Sequence, residues 1–549
     1  MMQPYDFTWI FGVGMVAAFS DAFGIGANDV ANSFATSVSS GSLTLAQACI
    51  IACFTEFLGA LLLGAGVSDT IKSGIVSTEY FTEIPEMFMF GMLCALIGSA
   101  TWVLIASRLG WPVSTTHSIV GAVCGIGIAG FGGNVVDWSW NGIIQIVVSW
   151  FISPIFAGIV AAIIYLITKY AVLRQVDSVK WGLRLVPLYT FITVTIIVLY
   201  ICFKAPGAAS SGLGIGEQLG IAFGCGVACG IIGYLFLCPW LRRKVVNREK
   251  LYFYHIPIIH WVPKRPTLDE VDLERTESNS TAVRSGNESK QETEITEKEA
   301  EADSKSAANV GCEDVSAEDV PAEQEQKPKD WKSKLSKGKD RVLDVALAGV
   351  RKDVRNIGNS KLAAMHAAAE LYEDDAEYLF SFLQVLTAIV ASFAHGSNDV
   401  ANAVGPLSAI YEVWQTATVS SEKVPVPIWI LAYGGAAIDL GLATMGWRLM
   451  RSLGNNITYI TPSRGFAAEL GAALTVLTCS QLNIPVSTTH CITGATAAVG
   501  LCNGNFRAVN WKMLALCMLG WILTLPCAGL VAGLWFAFAT YGPSFVYLR

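Results

Sequence analysis

The chain has 549 residues, 53% of them hydrophobic and 15% charged, where a soluble protein carries about 25% charged residues. With a mean hydropathy of +0.49, that shortage of charge excludes an ordinary soluble enzyme and predicts an integral membrane protein. The formal net charge of −7 says little, because the charges gather in one segment.

No basic residue precedes the first apolar run, so the N-terminus reads as a retained first span and not as a signal peptide. About 12 membrane-crossing segments follow along the chain, each needing roughly 20 apolar residues. They lie near 7–28, 45–66, 87–107, 114–130, 140–167, 186–203 and 219–237, then 379–395, 428–447, 466–482, 487–501 and 513–539. The segments near 114–130 and 487–501 are short. The fourteen cysteines lie mostly inside these runs, without a CxxC pair, and read as small packed hydrophobes; no transition-metal site is expected.

Lysine and arginine orient the spans. Lys169, Arg174, Lys180 and Arg184 place their loop in the cytoplasm, and Arg242, Arg243 and Lys244 after the seventh span agree. So do Arg448, Arg451 and Arg464, and Arg507 with Lys512, whereas the loops near 66–86 and 131–141 are acidic or nearly free of cations. One arrangement satisfies all of these, with both termini outside and the two halves in opposite orientation, a plan common in secondary transporters. Residues 1–240 and 378–549 are then the membrane halves. Residues 241–377 are rich in Glu, Thr and Lys and are expected to form a largely disordered cytoplasmic loop, with a helix near 345–368 leading out of it.

Two motifs, each present twice, carry the chemistry. Gly26-Ala27-Asn28-Asp29-Val30-Ala31-Asn32-Ser33 recurs as Gly396-Ser397-Asn398-Asp399-Val400-Ala401-Asn402-Ala403. Carboxylates and amides at membrane depth are costly, which marks a functional site. On a helix, Asp29 and Asn32 share a face, as do Asp399 and Asn402. Their oxygens suit a hard cation such as Na⁺, and the preceding glycines (Gly24, Gly26, Gly396) would let the helix break and release carbonyls as further ligands. A polar helix–helix contact is the plainer explanation of one copy; two copies in opposed halves argue for a shared site.

Pro112-Val113-Ser114-Thr115-Thr116-His117 recurs as Pro485-Val486-Ser487-Thr488-Thr489-His490. Proline followed by hydroxyl residues at the start of an apolar run marks a helix N-terminus. Its free N–H groups and positive dipole end bind anions, and Ser114, Thr115, Thr116, Ser487, Thr488 and Thr489 add donors. Simple capping would explain one copy alone. His117 and His490 read as packed helix residues.

The motif segments hold no Lys or Arg, so an anion there needs positive charge from Na⁺ held by Asn28, Asp29, Asn32, Asn398, Asp399 and Asn402. Asp29 and Asp399 also accept hydrogen bonds from a protonated oxyanion, which favours phosphate over sulfate. Moving one negative charge into a cell at about −100 mV costs about 2.3 kcal/mol, and a tenfold cation gradient supplies about 1.4 kcal/mol per ion. At least two cations per divalent phosphate are therefore expected. Glu56 and Glu469, carboxylates within spans two and ten, join the coupling set. Arg464 is the nearest basic residue for admitting the anion.

The paired motifs resemble the inorganic phosphate transporter family, the type III sodium–phosphate symporters, and Val424-Pro425-Val426-Pro427-Ile428-Trp429-Ile430-Leu431-Ala432-Tyr433-Gly434-Gly435 and Pro462-Ser463-Arg464-Gly465-Phe466 look most similar to fungal high-affinity sodium-dependent phosphate permeases. The resemblance covers both membrane halves and not the central loop. It implies an all-α polytopic fold of 12 spans in two inverted repeats, a homodimer in the plasma membrane, and symport of phosphate with Na⁺ (H⁺ in some members) without a cofactor. It implies that phosphate is held by Ser114, Thr115, Thr116, Ser487, Thr488, Thr489, Asp29 and Asp399, and that Na⁺ is bound or coupled by Asn28, Asp29, Asn32, Asn398, Asp399, Asn402, Glu56 and Glu469. Other expectations stay open: a phosphate receptor signalling through residues 241–377, a proton-coupled carrier, or a carrier of another oxyanion. An enzyme is disfavoured, since the sequence carries no Walker pattern and no nucleophile–base set outside the buried repeats; nor is a nucleic-acid partner expected.

Overall fold

The computed structural model describes residues 2–64, 78–136, 138–139, 143–204, 214–267, 360–419, 426–481 and 486–542. They fall into two units, one built from the chain before Leu235 and after Arg341, the other from Leu235–Arg341. Among the described residues the regular elements are all helical, with two isolated β-bridges.

The first unit contains α1 (Thr8–Asn28), α2 (Val30–Ser40), α3 (Leu45–Leu63), α4 (Pro85–Leu109), α5 (Thr115–Phe131), α6 (Ile143–Thr168), α7 (Ser178–Lys204) and α8 (Ile215–Ile232). After the central segment come α9 (Ser360–Ala367), α10 (Asp374–Thr416), α11 (Ile428–Met445), α12 (Trp447–Leu453), α13 (Pro462–Gln481), α14 (Thr488–Leu501) and α15 (Trp511–Tyr541). Over its described residues, each of the segments read from the sequence as a span carries a helix. Among the described residues, nine helical runs are long and apolar enough to cross a membrane. The other three are α5, α13 and α14, of 17, 20 and 14 residues.

Local sequence sets several boundaries. Thr44 and Gln47 form a reciprocal capping box that starts α3. Ser114 caps α5, its hydroxyl accepting from the His117 N–H at 3.3 Å. Gly41 (φ 88°) and Gly110 (φ 73°) end α2 and α4 in the left-handed conformation.

The two halves exchange partners. α1 packs on α11 and α10 on α3; α5 packs on α15 and α14 on α6. Glycine makes each contact close. A Cβ on Gly26 would lie 1.8 Å from the Ile438 carbonyl oxygen, and one on Gly396 would lie 2.3 Å from that of Glu56. The same holds for Gly121 against Leu525 and Gly494 against Pro154. Small residues permit such backbone approach where lipid offers helices no hydrophobic drive to associate.

This corrects the expectation that the motif glycines break their helices. In the first copy the interruption is one residue wide: Asp29 keeps φ −88° and ψ −34°, and its N–H still donates to Ile25 O at 2.7 Å. In the second copy α10 runs unbroken for 43 residues through the motif. The glycines serve the crossings, and no carbonyls are released as cation ligands. Gly26→Ala should therefore cost at or above the top of the roughly 1–3 kcal/mol overpacking range. Gly12→Ala, with nothing within 4 Å, should be neutral or mildly stabilising. Thermal unfolding of the purified variants tests the pair, and equal midpoints would refute the close-packing role.

The ends of the segment expected to be unstructured are built. The described part of the helix near 345–368 is α9, Ser360–Ala367; residues 345–359 lie outside the described residues. After α9, Glu370 accepts from Lys169 Nζ and Arg174 Nη2, each at 2.7 Å. Burial acts to raise the Glu370 carboxyl, but these cations outweigh it and hold it at about 2. Arg464 is fully buried and donates to Glu370 O at 2.5 Å, Asn503 Oδ1 at 2.7 Å and Tyr165 Oη at 3.1 Å. Its guanidinium ties α13 to α6 and to the turn after α14, and is spent on structure instead of receiving an anion.

Candidate functional site

Asp29 sits where α1 meets α2, beside the N-terminus of α5. Its Oδ2 accepts from the Thr115 hydroxyl at 2.5 Å and from the Thr115 N–H at 3.3 Å. Its Oδ1 accepts from the Thr489 hydroxyl at 2.8 Å. One carboxylate thus joins both Ser-Thr-Thr copies and already occupies the anion seat that a helix N-terminus offers. Asn32 donates to Thr489 Oγ1 at 2.7 Å and reaches Asp29 Oδ1 at 3.4 Å. Its own Oδ1 is buried and has no hydrogen-bond partner. A buried, unpaired acceptor beside a carboxylate suits a cation.

The second copy crosses over in the same way. Asn402 donates to the hydroxyls of Thr115 and Thr116, each at 3.2 Å. Asp399, on the same face of α10, lies near Asp29: oxygens of both carboxylates and a nitrogen of His395 fall within 4.8 Å of one another. Two buried carboxylates this close repel unless a cation or proton lies between them.

His395 was not among the residues singled out from the sequence. Its Nε2 is 2.8 Å from Asp399 Oδ2 and its Nδ1 is 3.0 Å from Glu56 Oε2. Glu56 also accepts from Ser392 Oγ at 2.9 Å. Glu56 therefore reaches the site through an imidazole. The corresponding register of the first motif holds Ile25, so the duplication gave no hint of this residue.

Glu469 lies apart from the aspartates. Its carboxylate accepts from Ser37 Oγ at 2.8 Å, from Gln384 Nε2 at 3.5 Å, and from the hydroxyls of Thr36 and Thr387. It faces a cavity of about 80 Å³ that Asn32, Thr387, His395, Asn398 and Thr488 also line. Asn398 and Thr488 thus border the cavity beside the motif faces. Ser487 begins α14 and is buried, with its carbonyl taking the Cys491 N–H at 3.1 Å. Asn28 points elsewhere. Its Oδ1 accepts from the Val113 N–H, and its amide donates to Ser107 Oγ and Trp111 O, all at 3.1 Å. It holds the turn between α4 and α5 in place behind Thr115.

His117 and His490 face each other, ring centroids 5.2 Å apart, and His490 packs on Trp521 at 3.9 Å. They are packed helix residues behind the two hydroxyl termini.

Residues 25–532 match the sequence profile of the phosphate transporter family. The chain belongs to that family. It is 36% identical to the phosphate-repressible phosphate permease pho-4 of Neurospora crassa, across 97% of both chains. It is 30% identical to sodium-dependent phosphate transporter 1 of Mus musculus, across 96% of this chain and 95% of the relative. A solved structure, "The sodium-dependent phosphate transporter", aligns with a TM-score of 0.65 at 27% identity, across 97% of this chain and 100% of that one. The residues matched by the profile include both pairs of motifs.

Proposed function

We propose that this phosphate transporter carries inorganic phosphate into the cell together with Na⁺, by alternating access. The observation that carries the reading is the position of Asp29, whose carboxylate takes the Thr115 and Thr489 donors while Asp399 lies close by. The names of the relatives, a phosphate permease and sodium-dependent phosphate transporters, support both the anion and the cation.

Phosphate cannot enter while Asp29 holds those donors and its charge stands. Two unit charges about 4 Å apart interact by about 4 kcal/mol at an effective dielectric of 20, so a divalent anion beside bare Asp29 and Asp399 is strongly disfavoured. Na⁺ bound by the two aspartates and the unpaired Asn32 oxygen reverses that sign. It draws the Asp29 carboxylate from Thr115 and Thr489 and leaves two helix N-termini, with Ser114, Thr116, Ser487 and Thr488, to receive phosphate. Asn398 and Asn402 complete the second cation face, and Asn28 positions the α5 terminus. Glu56 acts through His395 on Asp399. Glu469, held by hydroxyls on α2 and α10, couples the cavity wall to the same faces.

In this reading the halves oppose one another in the plasma membrane, both termini are outside, and residues 241–377 are cytoplasmic, as the lysine and arginine distribution supports. The resemblance adds a homodimer. Uptake of labelled phosphate into proteoliposomes tests the coupling. An inward Na⁺ gradient should drive accumulation, and a pH gradient alone should not. Accumulation that follows the pH gradient and ignores Na⁺ would reject sodium as the coupling ion.

A further inference from the structure

Two polar rungs cross the seam where α1 packs on α4. Asn28 makes one: its amide donates to Ser107 Oγ at 3.1 Å, and that hydroxyl donates to Val103 O at 2.7 Å. Asp21 makes the other. It stands seven residues before Asn28, about two helical turns, and so faces α4 as well. Its neighbour there is Ser99, eight residues before Ser107. The first rung is closed and the second is open. Asp21 and Ser99 are both fully buried, yet neither Asp21 oxygen has a hydrogen-bond partner, and neither has Ser99 Oγ. Between the rungs the seam is tight and apolar, since a Cβ on Gly24 would lie 3.0 Å from Val103 Cγ1.

Among the described residues, Ser99 is the one side chain that acts on Asp21. The charged and titratable groups on the other elements packed against α1 are engaged elsewhere. On α10, His395 and Asp399 join the Asp29 cluster, and Glu412 stands just past Ile410, which meets Gly14, about two turns before Asp21. On α11, Tyr433 donates to Met15 O at 2.9 Å, and Asp439 acts on Cys49 and Cys53 of α3. Arg108, in the last turn of α4, accepts from Arg448 of α12 through its carbonyl. An unpaired buried carboxylate is costly enough that the group takes up a proton or a cation. A hard cation such as Na⁺ needs a shell of several oxygens, and this rung offers one carboxylate and one hydroxyl. A proton needs a single acceptor.

We propose that Asp21 and Ser99 form a proton-binding site in the α1–α4 seam, separate from the cation cluster at Asp29. The Asp21 carboxyl holds a proton while the seam is closed and donates it to Ser99 Oγ, as the Asn28 amide donates to Ser107. Both rungs are then neutral donor–hydroxyl pairs, which a tight apolar seam accommodates. Losing the proton in place would strand a charge with no partner, so it leaves or returns only when the seam opens to water. The site goes beyond the sodium reading and does not rest on it.

Infrared spectroscopy of the full-length protein in detergent at neutral pH tests this. The spectrum of wild type minus that of Asp21→Asn should show the carbonyl stretch of a single protonated carboxyl group. Ser99→Ala should shift that band to the position of a carboxylic acid without a hydrogen-bonded partner and leave its area unchanged. A packing role for Ser99 would not move the band, and this shift is read on the native Asp21, whether or not the Asp21 variant folds. Asp21→Asn carries a neutral donor permanently, so it should fold and take up phosphate under a Na⁺ gradient close to the wild-type rate. Absence of a carboxylic acid band from the difference would show Asp21 ionised and overturn the proposal, as would an unmoved band in Ser99→Ala. Loss of one bound Na⁺ in Asp21→Asn, counted with labelled Na⁺ at equilibrium, would also overturn it and mark a metal-ion site. None of these readings depends on whether Na⁺ occupies the Asp29 cluster.

Discussion

Asp29→Asn should abolish sodium-driven phosphate uptake and leave the protein folded in the membrane. The substitution keeps the shape of the side chain. An asparagine oxygen can still accept from one threonine, and its amide can donate to the hydroxyl oxygen of the other, so the junction between α1, α5 and α14 persists. What disappears is charge. A cation about 4 Å away loses about 4 kcal/mol at an effective dielectric of 20, near three orders of magnitude in affinity. Uptake under a Na⁺ gradient should fall at least 100-fold, with surface expression and unfolding midpoint close to wild type. Asp399→Asn should act alike, because its carboxylate completes the same cluster. Sodium-dependent uptake at the wild-type rate in either variant would remove the aspartates from the cation role.

Much of this site could be read from the chain alone, because duplication wrote it twice. Asp29 and Asp399, or Thr115 and Thr488, stand out as polar residues repeated within apolar sequence. The periodicity of a helix then places Asp29 with Asn32 on one face. Inter-helix register was not legible. Gly26 and Gly396 looked like helix breakers, because a glycine in sequence does not say whether its missing side chain frees its own backbone or admits another. The answer came from Ile438 and Glu56, far along the chain. His395 escaped notice because its counterpart is Ile25, so only its spatial contacts with Glu56 and Asp399 reveal it. The hydroxyl cage of Glu469 gathers Thr36, Ser37, Gln384 and Thr387 from two other helices. Arg464 shows the opposite error: a cation close in sequence to a span is turned inward and fully used by carbonyls and a tyrosine.

Thr115→Val and Thr489→Val should separate the two tasks that the structure gives these hydroxyls. Each donates to Asp29, Thr115 to Oδ2 and Thr489 to Oδ1, and each is a donor that phosphate would inherit once Na⁺ draws the carboxylate away. Valine keeps the branched shape and removes the donor. A hydrogen bond to a charged group contributes about 1.5–3 kcal/mol, so either variant should raise the phosphate concentration for half-maximal uptake by roughly 10- to 150-fold. The sodium dependence should shift in the other direction. With one donor gone, the Asp29 carboxylate is held less firmly at the helix termini, so Na⁺ competes with fewer hydrogen bonds for it and half-maximal activation should need less Na⁺. A residue that served only to cap α5 or α14 would instead depress uptake at every concentration of both ions without moving the two in opposite senses. Paired titrations of phosphate at saturating Na⁺ and of Na⁺ at saturating phosphate measure both shifts. An unchanged phosphate requirement in both variants would show that the anion does not take over these donors.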